Sequence, residues 1–67
     1  MAEKITKDNK LNEVITKYPA ARDVFIRHGM PKYVNRLPSE TLEFFCRMHR
    51  VDMNQLLDEL NSAAGLA

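Results

Sequence analysis

Cys46 and His49 stand one helical turn apart in LEFFCRMHR, and His28 closes VFIRH just ahead of a proline-containing stretch. Thiolate and imidazole are preferred zinc ligands, so these three residues are the chain's candidates for a metal centre. Three ligands drawn from separate helices, however, do not make a sequence signature for a metal site. An unpaired cysteine on an apolar helix face is ordinarily core filler, and that is the reading adopted for Cys46. Ser39 and Asp52 are explained as helix caps, and no pairing of Asp, Glu and Ser recommends acid–base or nucleophilic catalysis. With two glycines in the chain there is no glycine-rich phosphate loop. We therefore expect no enzyme activity and no cofactor.

The elements that must position these groups follow from hydrophobic spacing. Leu11, Val14, Ile15 and Tyr18 recur at helical intervals ahead of Pro19, which predicts a helix over 10–18. Ala21, Val24, Phe25 and His28 repeat the pattern between Pro19 and Gly29, predicting a second helix over 20–28 that ends in a left-handed glycine cap. Ser39 is the expected N-cap of a third helix over 40–49, with Glu40 and Glu43 at its positive end and Leu42, Phe45, Cys46 and His49 on one face. Asp52 with Gln55 forms a capping-box pattern for a fourth helix over 53–62, whose buried stripe is Met53, Leu56, Leu57 and Leu60. Ile5, ahead of the first helix, is expected to cover one end of the core. No useful strand alternation occurs. The expected fold is all-α: a small bundle of four short helices packed at steep angles, residues 1–67 forming a single helical domain.

Composition narrows the function classes. Ten basic and nine acidic residues leave a net charge of +1, which removes the bulk reason for nucleic-acid or membrane-surface binding. Arg27, Lys32, Arg36, Arg47 and Arg50 could gather into a basic patch, and the third and fourth helices around RVD are similar to a helix-turn-helix. The fourth helix has the wrong sign for an anionic groove, since it carries Asp52, Asp58 and Glu59 with no Lys or Arg. No apolar run reaches the roughly 18 residues of a membrane span, and MAEKITKDNK has no signal-peptide core. One cysteine permits no internal disulfide, in keeping with a cytoplasmic protein.

The stretches KITKDNKLNEVITKYPAARDVFIRHGM and ETLEFFCRMHRVDMNQLLDELN together resemble the family numbered 1858 among domains of unknown function, also called the hybrid-cluster-protein-associated redox disulfide domain. The likeness runs through Ile5 and Thr6, Glu13 and Val14, Tyr18 and Pro19, Val24 and Phe25, Gly29, Thr41 and Leu42, His49 and Asp52. YPAARDVFIRHGM and TLEFFC are also similar to the N-terminal module of iron-sulfur-cluster repair proteins, whose cysteine pattern Cys46 matches. The resemblance implies a redox cysteine pair just after the glycine, spaced Cys-x-Gly-Cys in the first family. Here Lys32 and Asn35 stand at those positions. Arg50 follows His49 where the resemblance implies a glycine, and Lys10 occupies the N-cap position of a threonine.

Without that cysteine pair, the expected function is a non-enzymatic module for protein interaction or self-association, with a protein partner or a second copy and neither nucleic acid nor membrane. The alternative is a redox or metal-linked accessory domain acting through Cys46. Tyr33 and Val34 are too apolar for a free loop, and Phe44 and Met48 lie away from the predicted core face. The candidate interaction surface is accordingly Met30, Lys32, Tyr33, Val34, Asn35, Phe44 and Met48, with the loop between Pro31 and Pro38 expected to be an ordered, partly exposed element.

Overall fold

The structure, a computed structural model, describes residues 4–32 and 36–66. Four helices follow in order, α1 (Leu11–Lys17), α2 (Ala21–Arg27), α3 (Leu42–His49) and α4 (Met53–Ala63). Among the described residues there is no strand, and the fold is a small all-α bundle. Leu11, Phe25, Leu42, Phe45, Leu56 and Leu60 are each almost wholly buried and join Ile5, Val14, Ile15, Ala21, Val24, Met30 and Cys46 in one core. Phe25 of α2 meets Phe45 of α3 edge to face, with centroids 5.3 Å apart, which is the favoured aromatic geometry.

The first-turn amides of short helices need acceptors, and here they find them across the fold. Lys10 and Thr41 pair in an isolated antiparallel bridge. Leu11 N–H donates to the Glu40 carbonyl at 2.7 Å, while Leu42 and Glu43 N–H donate to the carbonyls of Asn9 and Lys7 at 3.0 and 3.1 Å. Each N-terminus of α1 and α3 is thus capped by the segment that precedes the other. This explains how α1 starts directly after Lys10, whose side chain makes no capping bond.

The same bridge corrects the expected start of α3. Ser39 is not its cap, and residues 40 and 41 are not helical, because their backbone is held in extended pairing with residues 10 and 11. The cap is Thr41, whose Oγ1 accepts the Phe44 amide at 3.2 Å. Asp52 caps α4 as expected, but its Oδ1 accepts from the Asn54 amide at 3.1 Å, one residue short of the Gln55 amide that a capping box would use. Helix α2 begins at Ala21, one residue after the expected start, since Pro19 and Ala20 form a turn with Ala21 N–H donating to the Tyr18 carbonyl.

Three helices end alike. After α2, Gly29 N–H donates to the Ile26 carbonyl and Met30 N–H to that of Phe25; after α4, Gly65 and Leu66 donate to Ser62 and Asn61. These are Schellman closures, with both glycines at positive φ. After α3, Arg50 takes the left-handed position at φ 54° and Val51 N–H donates to the Cys46 carbonyl at 2.9 Å.

Candidate functional site

The loop between α2 and α3 is anchored at its start. As the residue after Gly29, Met30 reaches back over Phe25, and its side chain is buried in the core. Met30 therefore leaves the expected interaction surface, because the helix closure that Gly29 permits turns it inward. Lys32 is exposed, and its carbonyl accepts from Arg22 Nη2 at 3.4 Å, tying the loop to α2. Tyr33, Val34 and Asn35 lie outside the described residues, and with them the expectation that Tyr33 and Val34 tuck onto the core or meet a partner. Leu37 packs against the core from the far side of the loop.

Cys46 is buried on the inner face of α3, as its spacing predicts, with Sγ 3.9 Å from the Met53 sulfur. Burial pushes its thiol pKa up, and the Asp52 carboxylate adds to the effect, so the nucleophilic thiolate is disfavoured on both counts. His49 does not complete a ligand set with it. The His49 ring lies across Phe45, centroids 4.4 Å apart, and runs along Gly29, while the residue as a whole stays exposed rather than entering the core. His28 Nε2 meets Glu59 Oε2 at 2.5 Å, and Arg27 Nη1 stands 3.7 Å from Glu59 Oε1, a cluster that joins the end of α2 to α4. Among the described residues, no three of His, Cys, Asp and Glu converge as metal ligands.

Substitution of Cys46 tests this placement. Cys46→Ala should destabilise the fold by about 1 kcal/mol, the scale of a modest core truncation. The native thiol should react with a disulfide reagent far more slowly than in urea. Since the folded thiol titrates above the unfolded one, its contribution is fully present below the unfolded value, about 8.5, and is lost as pH rises through the folded value. The fall in stability on the alkaline side should therefore be shallower in Cys46→Ala. Rapid native labelling would contradict a structural role.

The outer face of α3 carries two large apolar side chains in water. Phe44 is 46% and Met48 62% exposed, one turn apart and pointing away from Leu42, Phe45 and Cys46. Their exposure agrees with the helical spacing, which places both away from the core face. A separate cleft of about 210 Å³, lined by Lys4, Ile5, Asn9, Glu13, Val14, Lys17 and Tyr18, runs between the N-terminal segment and α1. It is smaller than the range usual for small-molecule sites.

Sequence reasoning missed Asn61. Its Oδ1 accepts the Ile5 amide at 2.7 Å, and its Nδ2 donates to the carbonyls of Ile5 at 3.2 Å and Leu57 at 2.9 Å. The signal was present: residue 61 continues the apolar register of residues 53, 57, 60 and 64, where a polar side chain requires a partner.

No helix of the described residues is long and apolar enough to cross a membrane. No curated protein and no solved structure matches the chain. The family model described as Domain of unknown function (DUF1858) matches residues 5–57, so the match bears on the first of the two resemblances and spans α1, α2, α3 and the first half of α4. The chain's single cysteine sits on α3, not in the loop after Gly29. With a match over most of its length, this chain belongs to the DUF1858 family.

Proposed function

We propose that this chain is a non-enzymatic, cytoplasmic protein-interaction module, a member of its family without the redox cysteine pair, whose contact surface is centred on the outer face of α3. The observation that carries the proposal is the adjacent exposure of Phe44 and Met48, side chains that serve no packing role in the chain's own core. Exposed aromatic and methionine side chains are enriched at the centres of protein interfaces. Disulfide exchange needs one thiolate to attack and a second sulfur to resolve, and a single buried cysteine with a raised pKa supplies neither.

The test places a photo-cross-linking phenylalanine analogue at Met48 in the cell, with Gln55 on the exposed side of α4 as the control position. Position 48 should yield a discrete protein adduct, either with another chain or with a second copy, that position 55 does not, and Phe44→Glu should remove it. Phe44→Glu itself should change stability by no more than about 0.5 kcal/mol, since the site is exposed. Identical adduct patterns at the two positions, or none at position 48, would sink the proposal.

A further inference from the structure

Resting on the assignment of the α3 outer face as a contact surface, we infer that its occupant is an acidic amphipathic helix of another protein. The charge around the apolar pair selects that occupant. Arg47 follows Phe44 by three residues and so lies beside it on the outward side, across from Met48, and Arg50 follows at the left-handed end of α3. Among the described residues neither arginine has an ion-pair partner. The carboxylate inside α3, that of Glu43, is paired with Lys7 at 3.6 Å. An apolar pair with one unpaired guanidinium beside it and a second at the end of the same helix selects a ligand with apolar anchors and carboxylates near them, which the planar donor fork of arginine binds in pairs. A helix presenting apolar residues one turn apart fits a ridge of Phe44 and Met48, and the flexible thioether lets the contact adjust.

The other occupants fit less well. A symmetric pairing of two copies through α3 places each Arg47 at a shared interface with its equivalent, so like charges oppose association. A head-to-tail pairing with the acidic α4 of a second copy offers Asp52 and Asp58, but its large apolar side chains Met53 and Leu57 are already packed against its own core. Two arginines neutralise few phosphates, too few for affinity to a nucleic acid. An eight-residue helix with two outward apolar side chains buries little in a bilayer.

The experiment selects ligands for the full chain from a displayed library of helical peptides, each about 16 residues long, a length at which a helix is marginal alone and is stabilised by docking. Selected peptides should carry apolar residues at i and i+4 flanked by Asp or Glu. Phe44→Ser should weaken them at least about ten-fold, a difference of about 1.4 kcal/mol, and the double variant Arg47→Glu, Arg50→Glu should reverse the preference toward basic peptides. Thermal melts establish that both variants fold. Peptides that bind Phe44→Ser as tightly as the parent chain overturn the contact surface and this inference with it, whereas no enrichment at all overturns this inference alone. Phe44-dependent peptides without acidic flanks, or with binding unchanged in the double arginine variant, overturn this inference alone. Phe44-dependent binding of the parent chain to phosphatidylglycerol vesicles or duplex DNA, with no peptide enriched, assigns the face to that ligand and overturns it equally.

Discussion

Asn61→Ala should destabilise the protein by about 3 kcal/mol, combining a buried amide left without its acceptor and a loosened apolar residue. Asn61 presents its carboxamide to Ile5 as a neighbouring strand would, accepting from its N–H and donating to its carbonyl across 56 positions of chain. Removing that pair strands the Ile5 amide in an apolar setting and releases the arm that brings Lys7 and Asn9 to the first turn of α3. A domain of this size has total stability of only about 3–10 kcal/mol, so the variant approaches the unfolding threshold. Urea denaturation is the measurement, together with amide exchange at Ile5, Leu42 and Glu43. The three amides should lose protection in step, and a change below about 1 kcal/mol would show that the arm is held by burial of Ile5 and not by the carboxamide.

Gly29→Ala is the second large effect, again about 3 kcal/mol, from strain and collision acting together. Gly29 sits at φ 120°, where side chains are rarely tolerated, and a Cβ there would stand 2.8 Å from Nδ1 of His49. Gly65 separates the two contributions. It also has positive φ, 76°, but an added Cβ meets nothing within 4 Å, so Gly65→Ala should lose only the backbone share, about 1 kcal/mol. In the Gly29→Ala background, His49→Ala should recover part of the loss by removing the colliding ring. Arg50 carries the opposite expectation: replacing it with glycine at φ 54° should stabilise by about 1 kcal/mol and raise Tm by about 4–8 °C. Equal losses for Gly29→Ala and Gly65→Ala would assign the whole effect to the backbone.

The four helices, the inward placement of Leu42, Phe45 and Cys46, and the outward placement of Phe44 and Met48 were legible in the sequence, because helical periodicity is a local property that side-chain spacing reports directly. So were the glycine closure after α2 and the Asp52 cap, which depend on a few adjacent residues. Tertiary structure alone decided the rest. The start of α3 moved from Ser39 to Thr41 because backbone groups of residues 40 and 41 pair with a segment some thirty positions earlier, and no local preference encodes that partner. Met30 became core because the Schellman closure sends the chain back over Phe25. Asn61 gained its role from Ile5 at the other end of the chain. Periodicity states which face of an element is apolar; which distant backbone group satisfies a given polar atom is settled only when the elements pack.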